Sequence, residues 1–320
     1  MVSYALTFLN SIADCFYPSP REIPQECKSL IEKLNGLTTF SQFNNPYPVQ
    51  GIEFREIVLG KTEGGEEQIL IKKPPLSKNF FIRSRLAKQE QLAFLISERL
   101  GLNVVPPAVA IEGFSPEIDK ISETVRKHLV TGSCDNRYQG IIIQKKIDPH
   151  GILERLDKEG VLFRVISWSL SWFQSFCSSL SLNQMQISKA IIFNIVAGRT
   201  DGRADNTVID SNGKIIEIDN EYIGSKKSQS WLFTAFSDHV LSKEVVKAFL
   251  ESDSSIIEDI FEDFDRRYPK LPFWNPVDRK FNSEDQSKTN ILNNFQRLQT
   301  FFKENQNTIV RVRDLEQFFA

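Results

Sequence analysis

A strongly apolar helix pattern over Gln184–Ala197 runs into a polar loop and then two short β-branched runs. Those runs are Thr207-Val208-Ile209 and Ile215-Ile216-Glu217-Ile218, parted by the turn signal Asp210-Ser211-Asn212-Gly213. No other stretch leaves the chain so few choices: helix, loop, hairpin. The hairpin carries Asn206 at the entry of one strand and Asp219 at the exit of the other, so both residues come to the same end. Asp201 precedes Asn206 by five positions, and Asp219 follows it by thirteen. Asp and Asn gather in turns because their side chains bond nearby backbone and tolerate left-handed conformations. Any one of the three alone therefore reads first as a turn residue. The triple at this spacing suits ATP-dependent phosphoryl transfer, with one Asp for the attacking hydroxyl's proton and an Asn and a second Asp for the divalent ions.

Bulk properties set the frame. At 320 residues, 41% hydrophobic and 25% charged, the chain has room for one two-lobed domain or two modest ones. Its 25 Phe imply sizeable cores, and a formal charge of −2 provides no basic face for nucleic acid. No apolar run reaches the ~20 residues of a membrane span. Met1–Phe16 lacks a basic leader and is broken by Asn10 and Asp14, so an amphipathic helix is expected there and not a Sec-type secretory signal. Cys15, Cys27, Cys134 and Cys177 have no CxxC spacing and no His at ligand spacing. They read as reduced thiols in a cytoplasmic or otherwise reducing compartment.

Along the chain, helical stripes up to about residue 40 precede a linker at Asn44-Asn45-Pro46-Tyr47-Pro48. Strand patterns are expected at 51–59, 68–73, 103–110 and 140–146, with a helix over 87–100 stopped by Gly101. Helices follow at 162–180, 184–197, 243–262, 285–304 and 309–319, after an irregular stretch to about 240. Trp168, Trp172, Phe173 and Phe176 sit at helical spacing and read as core. The Phe261, Phe264, Tyr268, Phe273 and Trp274 cluster reads as packing for the C-terminal helices. The predicted class is α+β, a two-lobed protein-kinase-like fold with a small antiparallel-sheet N-lobe and a mainly helical C-lobe. Its expected divisions are an N-terminal helical extension over 1–44, an N-lobe over 45–145 and a C-lobe over 146–320.

Phosphoryl transfer needs a strand lysine for phosphate charge and a helix glutamate to hold it. Lys72 and Lys73 end the strand Ile69-Leu70-Ile71. Alternation turns only one of them toward a cleft, and Lys73 is favoured with Lys72 as the fallback, since a one-residue register slip exchanges the faces. Glu90 is preferred over Glu98, which stands beside Arg99 as a surface ion pair.

Lys73-Pro74, Glu90 with Leu100-Gly101-Leu102-Asn103-Val104-Val105-Pro106, Thr200-Asp201…Asp205-Asn206 and Ile218-Asp219-Asn220 occur in the order found in type II phosphatidylinositol 4-kinases. Over roughly residues 50 to 225 the chain resembles the atypical kinases that include phosphatidylinositol 3-/4-kinases, actin-fragmin kinase and HipA-like kinases. The resemblance implies an ATP-binding cleft between two lobes, with adenine near Ile143, Gln144 and Lys145 and the phosphate loop at Gly51. It implies Lys73 on the phosphates paired with Glu90, Asp201 as the catalytic Asp, and Asn206 and Asp219 on Mg²⁺ or Mn²⁺. In three places the chain departs from that pattern: Asp201-Gly202-Arg203 carries its basic residue one place late, Glu221 stands where a Gly is common, and Gly51 is the only glycine at the phosphate loop.

With no palmitoylation stretch and near-neutral charge, the expected acceptor is a protein Ser/Thr. A phosphoinositide headgroup is the runner-up, with Lys226 and Lys227 after the metal Asp, and a pseudokinase or helical interaction module is the second alternative. Residues 1–44 are assigned a regulatory or docking role that allows a separate regulatory partner. His128, His150 and His239 share no spacing and receive no catalytic role.

Overall fold

The computed structural model describes residues 25–35, 37–42, 56–63, 68–73, 80–111, 141–145, 183–203, 206–210, 213–267, 273–275, 280–282 and 284–319. The protein is mixed α+β, with small antiparallel sheets and several helices. Its contacts divide it into two units that are discontinuous in sequence: residues 1–92, 107–146 and 259–272, and residues 93–106, 147–258 and 273–320.

The first unit is built on a five-stranded sheet. Its strands are β1 (Leu37–Gln42), β2 (Glu56–Thr62), β3 (Gln68–Lys73), β4 (Ala108–Ile111) and β5 (Ile141–Lys145), in the order β1-β2-β3-β5-β4, every pair antiparallel. Helix α1 (Gln25–Asn35) contacts β4 and β5, and Cys27 Sγ approaches Ala108 O at 3.5 Å. The sequence set residues 1–44 apart as an extension; here β1 is an edge strand of this sheet and α1 belongs to the same unit. Helix α2 (Phe80–Arg99) starts seven residues earlier than its periodicity predicted. It is buried on all faces over 86–97, including Lys88, Gln89, Glu90 and Gln91. Gln91 Oε1 accepts the Ala110 amide at 2.9 Å, tying α2 to β4.

The second unit is centred on α3 (Gln184–Ala197), whose boundaries match the sequence expectation. Asn183 caps its start by accepting the Met185 amide at 2.9 Å. An all-round apolar helix belongs inside a core, and Ala190 through Ala197 are buried without exception. Around α3 pack the hairpin β6 (Thr207–Ile209) and β7 (Ile215–Glu217), with α4 (Trp231–Ala235), α5 (Lys243–Glu251) and α7 (Glu284–Glu304). Phe249 of α5 meets Phe295 and Phe302 of α7 with ring centroids 4.9 and 5.9 Å apart, a favourable aromatic spacing.

The single helix expected over 243–262 is two, α5 and α6 (Ser255–Arg267). A new start is made where Asp253 Oδ1 accepts the Ser255 amide at 2.9 Å. Strands β8 (Phe273–Asn275) and β9 (Lys280–Asn282) form a further hairpin, and α8 (Val312–Phe319) contacts α4. Phe261 and Phe264 are buried. Gly51, the linker at 44–48 and the helices expected at 1–16 and 162–180 lie outside the described residues. Among the described residues no helix is long and apolar enough to cross a membrane.

Candidate functional site

Helix α3 stops because Gly198 turns left-handed, with φ 58°. A side chain there would put its Cβ 2.0 Å from Ser225 O, so the position needs glycine for space as well as for φ. Past it, the loop is stitched to the segment that follows β7. Ser225 N donates to Gly198 O (3.1 Å), Thr200 N to Tyr222 O (2.9 Å), Gln229 N to Arg199 O (2.8 Å) and Gly202 N to Gln229 O (3.1 Å). Gly202 permits that last approach, since a Cβ would stand 2.5 Å from Gln229 O. The backbone on both sides of Asp201 is thus held by residues 222–229.

Beneath this loop lies an ion pair that sequence reasoning missed. Arg199 and Glu217 are both fully buried and joined through Nη1 and Oε2. Glu217 also accepts from Asn194 Nδ2 (3.1 Å) and Thr207 Oγ1 (3.0 Å), and Trp231 Nε1 donates to Thr207 Oγ1 (2.9 Å). Arg199 Nη2 reaches the carbonyls of Ile218 (2.7 Å) and Asn206 (3.4 Å). The Glu217 amide donates to Val104 O (2.6 Å), which fastens the Leu-Gly-Leu-Asn-Val-Val-Pro loop to β7. In that loop Ser97 Oγ accepts the amides of Val104 (2.8 Å) and Val105 (3.2 Å). The readable signal was a charged residue inside the run Ile215-Ile216-Glu217-Ile218. Its strand buries every residue, so the carboxylate required an internal cation.

Three sequence-predicted residues sit on this support. Asn206 is 4% exposed, and its Nδ2 donates to Asp201 O (3.0 Å) and more weakly to Asp201 Oδ2 (3.4 Å). Ile218 N donates to Asn206 O (2.9 Å), so the ends of the hairpin meet and Asp219 stands one residue beyond Asn206's partner. Asp219 has φ 55°, a left-handed conformation that Asp and Asn tolerate better than most residues. Asp201 Oδ1 lies 3.0 Å from Arg203 Nε. Glu221, two residues further on from Asp219, is 1% exposed.

In the first unit, Lys72, the fallback of the sequence reading, pairs with Glu90, and the side chain of the favoured Lys73 lies outside the described residues. Lys72 Nζ lies 3.9 Å from Glu90 Oε1, an ion pair longer than a direct hydrogen bond. Both residues are buried, at 5% and 0% exposure. The cause is register: strand alternation sets Lys72 with Leu70, opposite Ile69 and Ile71. Ile143, Gln144 and Lys145 lie on β5, between β3 and β4, opposite Ile71, Leu70 and Ile69.

Oxygen donors such as the Asp219 carboxylate and the Asn206 amide suit a hard divalent cation. Among the described residues no group of three or more His, Cys, Asp and Glu converges to hold a metal. An ion here would complete its shell with phosphate and water oxygens, as Mg²⁺ commonly does. No protein-family model matches the chain, and no curated protein matches it either.

Proposed function

We propose that this chain is an ATP- and divalent-metal-dependent phosphotransferase of two-lobed, protein-kinase-like architecture, acting on the hydroxyl of a protein serine or threonine. The observation that carries the reading is the buried pair Lys72–Glu90. Two charges withdrawn from water cost several kcal/mol each before their attraction is counted. A lysine held ready for phosphate charge gives the pair a purpose.

Support from the second unit comes from the loop that holds Asp201 against Asn206 and the hairpin end that carries Asp219. In this reading Asp201 orients the acceptor hydroxyl and takes its proton. The acceptor oxygen bonds the γ-phosphorus, the bond from that phosphorus to the β–γ bridging oxygen breaks, and ADP departs. Lys72 neutralises phosphate charge, and Glu90 keeps its ammonium in place. Asn206 and Asp219 would hold Mg²⁺ or Mn²⁺, whose contribution is neutralisation of charge on the phosphate oxygens.

The test is nucleotide-dependent stabilisation. ATP with Mg²⁺ at about 100 times its dissociation constant should add about 2.7 kcal/mol to the stability of the full chain. Asp219→Asn is the proper knockout, because Asn keeps the left-handed backbone while removing the carboxylate's charge. It should abolish transfer of labelled phosphate with the melting temperature of the unliganded protein preserved. Absence of any nucleotide-dependent shift in the wild-type chain would return it to the class of interaction modules.

A further inference from the structure

Asn290 and Asn294 of α7 are buried, and both turn their amides to the segment that follows Asp219. Asn290 Nδ2 donates to Gly224 O at 2.8 Å and Asn294 Nδ2 to Ser225 O at 2.9 Å, bonds that span 66 and 69 positions of the chain. Ser287 stands one turn earlier on the same helix face. It lies so near that a Cβ on Gly224, whose φ is 84°, would come 2.8 Å from its own Cβ. The amides of the same two residues go to the end of α3: Gly224 N donates to Ala197 O (2.7 Å) and Ser225 N to Gly198 O (3.1 Å). Gly224-Ser225 is therefore gripped on one side by α3 and on the other by α7. In sequence Asp219 lies five residues before Gly224, and Asp201 three residues after Gly198. Both carboxylates are tethered to one anchor.

We propose that Asn290 and Asn294 are positioning residues for phosphoryl transfer, which set Asp201 against Asp219 by fixing Gly224-Ser225 between α7 and α3. This rests on the phosphotransferase reading and extends its machinery to a helix outside residues 50–225, where the kinase resemblance lies. A buried carbonyl deprived of its donor costs free energy until it finds another, so loss of either amide lets the segment move. The ends of the β6–β7 hairpin are joined directly, through Ile218 N and Asn206 O. Binding of ATP with Mg²⁺ at Asn206 and Asp219 should therefore survive, whereas the placing of Asp201 should not. Rate depends steeply on such placing: a displacement of about 1 Å can cost about a hundredfold.

The experiment uses the full chain, labelled ATP and Mg²⁺, with casein and water as acceptors, at a temperature where every variant is folded. Asn290→Leu and Asn294→Leu keep the side chain's shape and remove the donor. Each should lower kcat by tenfold or more and leave KM for ATP and the ATP-dependent melting shift unchanged. Phe302→Leu, further along α7 against Phe249, is the control for lost stability alone and should retain kcat. Should a leucine variant not fold, Asn290→Ser and Asn294→Ser are held to the same criterion, and failure of both sets to fold overturns the proposal in favour of a purely structural role. Unchanged kcat in folded variants overturns it too, as does a loss of kcat matched by Phe302→Leu. A wild-type chain that turns over ATP while the variants keep its kcat sinks only the positioning role. A wild-type chain with no nucleotide shift or no turnover sinks the phosphotransferase reading as well.

Discussion

Arg199→Met is the perturbation whose consequence the structure makes most definite. Methionine fills similar space but removes the contacts to Glu217, Ile218 O and Asn206 O. Among the described residues the fully buried Glu217 is then left with Asn194 and Thr207 and no cation. Breaking one side of a buried pair costs about 3–5 kcal/mol. For a unit of 150–250 residues that corresponds to a fall in melting temperature of roughly 6–20 °C. The assay is a thermal melt followed by near-UV circular dichroism, with Glu217→Gln and the double variant Arg199→Met/Glu217→Gln completing a cycle. Glu217→Gln retains the hydrogen-bonding shape without charge, so the double variant should be more stable than Arg199→Met alone. A double variant that loses the full sum of the single losses would show that the two residues do not couple. A fall of under 2 °C for Arg199→Met would refute the reasoning outright. Because Arg199 also holds the carbonyls of Asn206 and Ile218, transfer activity should fall even at temperatures where the variant remains folded.

Other outcomes follow from single positions. Lys72→Met should lower kcat/KM for phosphoryl transfer by at least a hundredfold while Lys73→Met changes it little, and a larger loss for Lys73→Met in steady-state assays would move the phosphate role to Lys73. Gly198→Ala should destabilise by more than the 1–2 kcal/mol of a left-handed non-glycine residue, because its Cβ would also meet Ser225 O; a loss below 1 kcal/mol in urea titration would contradict the geometry. Among the described residues the buried Nε2 of His239 meets no hydrogen-bond partner, and desolvation holds its pKa below the ordinary 6.5. The unfolded chain therefore binds the extra proton first, and stability should decline as pH falls from about 6.5 toward the lower folded value. His239→Gln should flatten that decline in melts taken between pH 5 and 8.

Much of the site was legible because its signals are local. The turn Asp210 to Gly213 between β-branched runs specified the β6–β7 hairpin, and an unbroken apolar pattern specified α3. The loop Leu100–Pro106 marked the end of α2, where Gly101 takes φ 66°. Longer segments were less legible. Periodicity carried one helix through 243–262, yet Asp253 competes for the backbone amides and starts a second helix. The first turns of α2, over 80–86, were missed although Asn79, a residue type that favours helix starts, stands directly before Phe80.

Residue order alone determined where charge and amide groups could gather: Asp201, Asn206 and Asp219 around one hairpin, with a lysine ending β3 and a glutamate on α2. It could not choose between Lys72 and Lys73, because neighbouring strand residues differ only in face and a face is defined by what packs against it. Nor could it reveal Arg199 as the cation for Glu217, since eighteen residues separate them and only the docking of α3's end on β7 brings them together. Covalent neighbourhood encodes turns and periodicity, whereas burial is a property of the assembled interior, and burial turned those two charges into a mutual requirement.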